Sequence, residues 1–237
     1  MATGPLKKAS VCLAMAALIP AINAQANTWK GEAELGFVST SGNTETTNVN
    51  LKAGAVNQRN QWKHSLNIES INSSNDAGTT AERYLLWGKS DYSLSERSYL
   101  FGLVKWEKDR FLGYDYQLSE VLGYGRHILQ EEPLTLDLEI GTGARQTELK
   151  TGDSDNELIG WLAGDLHWQI SETTKLNEYL TIEIGDNTIT RSVTSLTTKI
   201  NTALAMKVSL TAKNTSKVPV GKNKTDTETA VTLVYSF

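Results

Sequence analysis

Residues Thr225 to Phe237 read TDTETAVTLVYSF, and their alternation decides the fold. Thr227, Thr229, Val231, Leu233, Tyr235 and Phe237 share one parity; Asp226, Glu228, Ala230, Thr232, Val234 and Ser236 share the other. A strand sends alternate side chains to opposite faces. One face is therefore apolar and ends in two aromatics, while the other begins acidic and stays small. The closing strand of an outer-membrane barrel has this character, with its terminal aromatics at the membrane interface. Leu233, Tyr235 and Phe237 are accordingly the candidate assembly signal, read by the barrel-assembly machinery during biogenesis. The competing reading is a strand of a soluble periplasmic β-protein, which predicts recovery without detergent and indifference to loss of Phe237.

At the other end, Lys7 and Lys8 precede an apolar run from Val11 to Ile22, followed by Ala24-Gln25-Ala26. This is the plan of a secretory signal peptide, and the run is too short to cross a bilayer as a helix. Cleavage is expected after Ala26, so 1–26 is the leader and 27–237 a single barrel domain of about 211 residues. Cys12, the one cysteine, lies in the leader, and Ala9-Ser10-Val11 before it makes a poor lipoprotein signal. The mature chain then has no thiol or disulfide chemistry. Losing two lysines and no acid leaves 21 basic against 27 acidic side chains, a net charge of −6. That argues against a nucleic-acid partner. After the leader no long apolar run exists, which excludes a helical membrane bundle. A hydrophobic content of 39% is compatible with a barrel, whose lumen and loops are polar.

From Trp29 onward the apolar period is two, with almost no helical stretch. Trp29, Gly31, Ala33, Leu35 and Phe37 alternate with Lys30, Glu32, Glu34 and Gly36. Ser41-Gly42-Asn43-Thr44 suits a tight type II′ hairpin. The third segment sets Trp62, His64, Leu66 and Ile68 against Lys63, Ser65, Asn67 and Glu69. The seventh sets Leu134, Leu136, Leu138 and Ile140 against Thr135, Asp137 and Glu139. Strands four to six carry apolar groups on both parities, so their phase is open. About twelve strands of roughly ten residues result, long enough to cross the hydrocarbon when tilted. The expected fold is all-β: a transmembrane antiparallel up-and-down β-barrel with both termini periplasmic. Longer polar links at 72–80, 108–117, 149–156 and 214–224 all fall on the outer side. Trp29, Trp62, Trp87 and Trp168 fall toward the periplasmic ends as a candidate aromatic girdle, and Trp106 lies near the outer rim.

The polar parity is expected to line the lumen with Lys30, Glu32, Glu34, Lys52, Lys63, Glu69, Asp137, Glu139, Arg145, Asp165, His167, Glu183 and Lys207, joined by Glu157, Lys175, Lys213 and Glu228. Paired across strands, these charges make a plug; unpaired, they line a narrow selective channel. Twelve strands sit between the filled eight-stranded barrels and the open porins, so size does not decide. The expected role is a structural barrel or a narrow channel for ions and small solutes, not an enzyme, with no catalytic, cofactor or metal site. The alternative is a barrel-embedded lipid hydrolase, which needs a serine beside an oriented outward histidine. His64 has that parity, with Ser65 and Ser70 near it in sequence. Asp153-Ser154-Asp155-Asn156-Glu157 begins like a calcium loop but lacks its glycine and distal glutamate, and a solvated acidic loop is the preferred reading. Asp109-Arg110-Phe111 with Lys217, Lys222 and Lys224 can meet lipopolysaccharide phosphates, and ordinary solubility accounts for them equally well. Outer-membrane lipid and lipopolysaccharide are the expected partners, and the oligomeric state stays open.

Several segments together resemble one family. Trp29-x-Gly31, Leu35-Gly36 and Thr40-Ser41-Gly42-Asn43-Thr44 form its opening. Tyr92-x-Leu94-Ser95, Tyr99-Leu100-Phe101-Gly102 and Glu107-x-Asp109-Arg110-Phe111 form its middle. Gly123-Tyr124-Gly125, Thr225-Asp226 and Leu233-Val234-Tyr235-x-Phe237 complete it. The pattern is similar to the YdiY-like family of salt-induced outer membrane proteins, most specifically in Ser-Gly-Asn-Thr and Asp-Arg-Phe. The resemblance implies a Gram-negative outer-membrane barrel linked to salt response. It brings no activity, cofactor or catalytic residue.

Overall fold

The computed structural model describes residues 29–41, 46–75, 78–109, 114–150, 152–218 and 221–237. The leader 1–26, the turn residues 42–44 and Arg110-Phe111 lie outside them. The described residues form twelve strands: β1 (Trp29–Ser41), β2 (Thr46–Arg59), β3 (Trp62–Asn75), β4 (Gly78–Ser95), β5 (Ser98–Asp109), β6 (Tyr114–Glu131), β7 (Leu134–Leu149), β8 (Ser154–Gln169), β9 (Thr174–Ile184), β10 (Ile189–Lys199), β11 (Leu204–Thr215) and β12 (Thr225–Ser236). Each pairs antiparallel with its chain neighbours, and β1 pairs with β12 to close the barrel. No strand edge is left open, which a lipid environment demands. The end that carries Trp29 and Phe237 is called the terminal end below, and the opposite end the loop end.

Closure runs through Thr225 to Phe237. β12 pairs with β1 from Glu32–Ser236 to Ser41–Thr227. Beyond it, Gly31 N–H donates to the Phe237 carbonyl at 2.8 Å, and Phe237 N–H donates to the Gly31 carbonyl at 2.9 Å. The Phe237 ring lies over Gly31, where a Cβ would come within 2.5 Å of ring carbons. A glycine at 31 is what lets the last side chain lie flat on the outer wall.

The two parities separate as the alternation requires. Leu35, Phe37, Leu66, Ile68, Leu122, Leu158 and Leu233 are exposed on the outer face, whereas Glu34, Glu69, Glu107, Arg145, Glu183 and Glu228 are buried on the inner face. The inner wall is not wholly polar. Tyr99, Phe101, Leu103, Val121, Ile159, Trp161 and Ala163 form an apolar cluster along β5–β8. Glycines on β6 make room for it: a Cβ at Gly123 would lie 2.5 Å from the Phe101 ring, and one at Gly125 2.1 Å from the Tyr99 ring.

This inner cluster explains why β4–β6 lack a readable phase, since they are apolar on both faces. It also corrects one assignment. Trp87 does not belong to an outer girdle; its parity on β4 is that of the buried Leu85 and Asp91, and it packs against the inner cluster. Trp29, Trp62 and Trp168 do lie outward near the terminal end, at 42%, 46% and 44% exposure, with Trp62 against Tyr92 at 4.9 Å between ring centroids. Most of the expected long links are also shorter than read. β3 runs to Asn75 and β4 starts at Gly78; β5 runs to Asp109 and β6 starts at Tyr114; β8 starts at Ser154. Backbone pairing needs no apolar alternation, so the polar strand ends stay in the ladder beyond the apolar band. Only the link between β11 and β12 remains long.

Candidate functional site: a charge-paired lumen

β5 and β11 stand on opposite walls of the barrel, and Glu107 and Lys213 join them. Lys213 Nζ donates to Glu107 Oε1 at 2.6 Å and contacts the Tyr114 hydroxyl at 3.3 Å. Lys213 is 7% and Glu107 3% exposed. Water scarcely reaches the pair, which fills its part of the lumen between the two walls. The long lysine stem suits the span, and the buried carboxylate satisfies a charge that is costly to bury alone.

Two further networks share the loop half. Glu69 on β3 binds Arg83 on β4, with Lys52 at 3.5 Å and Arg191, from β10 across the barrel, at 3.7 Å. Arg83 also reaches Glu228 on β12 at 2.7 Å. On the other side, Glu183 binds Lys105 and accepts from Ser119 at 3.1 Å and Arg145 at 3.2 Å. Arg145 in turn binds Glu157 and the Asn187 carbonyl. A planar guanidinium with several donors can serve two carboxylates at once, which a lysine cannot do in fixed geometry.

The terminal half is arranged differently. Glu139 binds Lys89 and accepts from the Tyr99 hydroxyl at 2.8 Å and Trp161 Nε1 at 3.4 Å. Lys89 also pairs with Asp91 at 3.0 Å and lies 5.1 Å from the Tyr99 and Phe101 ring centroids. Glu34 accepts from Lys207 at 2.7 Å and Thr232 at 3.1 Å. Nearest the opening, His127 meets Asp137 at 2.6 Å, while His167 meets Asp165 at 3.3 Å and Asn177 at 2.7 Å. These last side chains are much more accessible than the crossbar, so the terminal end forms the wetter vestibule and the loop half the more buried layer.

All the lumenal candidates fall on the inner parity. The structure joins Lys52 to Glu69, Arg145 to Glu183 and Lys207 to Glu34, and gives Glu139 a lysine partner. Lys30, Glu32 and Lys63 stay exposed toward the vestibule mouth without joining an ion pair among the described residues. Sequence reading missed Arg83, Lys89, Asp91, Glu107 and Arg191, all on strands whose phase was open or unassigned. The Asp153–Glu157 segment is largely strand, Asp155 pairing with Thr147 and Glu157 with Arg145, so it does not wrap a cation. No three His, Asp or Glu side chains among the described residues gather to hold a metal ion. His64 lies outward, but Ser65 points into the lumen and Ser70 lies well along the strand. The serine that meets His64 is Ser90 on β4, with Oγ 2.9 Å from Nδ1, and Trp62 stacks on the imidazole at 5.7 Å.

Comparison with known proteins agrees with this architecture. The family described as "Protein of unknown function, DUF481" matches residues 33–237. The "Uncharacterized protein YdiY" of Escherichia coli (strain K12) is 26% identical over 210 residues, covering 88% of this chain and 83% of the relative. Among solved structures, the NanC porin superposes with a TM-score of 0.60 at 8% identity, over 86% of this chain and 98% of that one. The KdgM porin gives 0.51 at 12% identity, over 87% and 99%. The translocator domain of the autotransporter NalP from Neisseria meningitidis gives 0.51 at 12% identity, over 91% and 90%. At these identities the likeness is one of fold, that of outer-membrane barrels.

Proposed function

The chain belongs to the DUF481 family, which carries no assigned activity, and from its lumen we propose that it is an outer-membrane barrel whose narrow passage rests shut. Both termini face the periplasm, and the wet vestibule opens there. The observation that carries this reading is the Glu107–Lys213 crossbar between opposite walls. In this reading ions and small solutes pass only when the paired layer parts. The role is that of a closed conduit or structural barrel rather than an open porin or an enzyme. The fold shared with the NanC and KdgM porins supports a channel-type scaffold. Swelling of proteoliposomes in a small neutral sugar tests it. Wild-type vesicles should not swell, and Glu107→Ala/Lys213→Ala vesicles should; swelling of both at one rate would sink the reading. A link to salt response, implied by the family resemblance, would act through the amount of barrel in the membrane. Salt screens exposed charges with a Debye length of about 10 Å at 0.1 M, but the buried pairs are screened far less.

A second reading, the lipid hydrolase, is favoured by the His64–Ser90 contact alone, a nucleophile–base pair two residues along the ladder from the Trp62–Tyr92 pair. Its test is labelling by a serine-directed fluorophosphonate that Ser90→Ala abolishes. Absence of label on folded wild-type protein removes it.

A further inference from the structure

We infer that the outer wall over β6–β9 holds one anionic glycerophospholipid, with an acyl chain in an apolar groove and its phosphate on Arg126. On this wall Arg126, Leu138, Gly164 and Leu180 stand in register across four strands. With Ile140 and Leu162 they line a groove of about 440 Å³. Gly164 is its floor. A Cβ there would meet Leu138 Cδ2 at 3.4 Å, an ordinary contact, so the space above position 164 is open because no side chain fills it. Groove walls of leucine and isoleucine suit an acyl chain and nothing charged.

Arg126 supplies the polar end. It has the lipid-facing parity of Tyr124 and Leu122, and it makes no ion pair among the described residues. It pairs in register with Ser98, the first residue of β5 beside the 96–97 turn, in the terminal half of the outer wall, with Ile128 on β6 and Leu134 and Leu136 on β7 beyond it. A lipid-facing arginine costs less the nearer it is to the interface, and its long stem reaches toward the headgroups of that side. A guanidinium that reaches the headgroups can fork onto a phosphate, and basic side chains near the surface draw anionic headgroups. The inference rests on the proposed orientation, which points this end at the periplasmic, phospholipid leaflet. Free phosphate would use the arginine but leave the groove without a role.

The experiment is native mass spectrometry of the folded chain in neutral detergent, titrated with phosphatidylglycerol in the presence or absence of inorganic phosphate. Wild type should retain one phosphatidylglycerol. Arg126→Gln should weaken retention roughly tenfold, the scale of one charge-assisted hydrogen bond, and Arg126→Lys should recover part of it. Gly164→Leu should remove retention while leaving Arg126 in place. Equal retention by Arg126→Gln or by Gly164→Leu overturns the inference, and so does complete displacement of the lipid by inorganic phosphate, which would leave the groove no part in binding. Heat-modifiable gel mobility shows that each variant is folded. Swelling assays on the same variants separate the two claims: a leaky wild type refutes the shut passage and leaves the lipid result standing.

Discussion

Replacing Lys213 by methionine leaves Glu107 at 3% exposure without its 2.6 Å partner. At that distance two unit charges attract by about 6 kcal/mol with an effective dielectric constant of about 20, most of it offset by desolvation. What the substitution measures is the cost of stranding a buried charge, about 3–5 kcal/mol. Lys105 and Arg191 also act on Glu107, so the expected loss is at the low end, about 3 kcal/mol. Glu107→Leu/Lys213→Met removes both charges and should return to within about 1 kcal/mol of wild type. Urea unfolding of vesicle-inserted protein, followed by tryptophan fluorescence and extrapolated linearly, gives each value. A loss below about 1 kcal/mol for Lys213→Met, or a double variant as weak as the sum of the singles, would refute a buried, mutually dependent pair.

Other consequences are separable. Gly125→Leu drives a side chain into the Tyr99 ring, already 2.1 Å from an added Cβ, and should cost about 1–3 kcal/mol or more by overpacking in the same unfolding assay. Single-tryptophan variants should divide by face. With brominated phospholipid, fluorescence from Trp62 should be quenched and that from Trp87 should not; quenching of Trp87 would return it to the outer belt. Deleting Phe237 removes two ladder bonds to Gly31 and the ring that covers it. Folding into vesicles, read by heat-modifiable mobility, should slow several-fold, and an unchanged rate would contradict a role in closure.

Where one face meets lipid and the other a polar lumen, the alternation is legible, and β1, β3, β7 and β12 read correctly from sequence. It fades where the inner wall is itself apolar. Leu85, Leu86 and Trp87 follow one another on β4, and only pairing with β3 shows which two point inward. The same ambiguity hid Arg83, Lys89, Asp91 and Glu107. The cross-barrel partners were beyond sequence for a different reason. Lys213 and Glu107 are 106 positions apart, and only closure, strand order and register bring them together. The strand ends were misjudged because polar residues carry no inside–outside signal, although their backbones pair as well as any. Ser90 was missed beside His64 because neighbours across a sheet are distant in sequence.

Single-channel recording in planar bilayers tests the shut lumen most directly, on protein shown to be folded. The account predicts silence from wild type and discrete steps from Glu107→Ala/Lys213→Ala, whose crossbar is gone and whose lumen holds no stranded charge at that level. A steady wild-type current, or a folded double variant as silent as wild type, would contradict it.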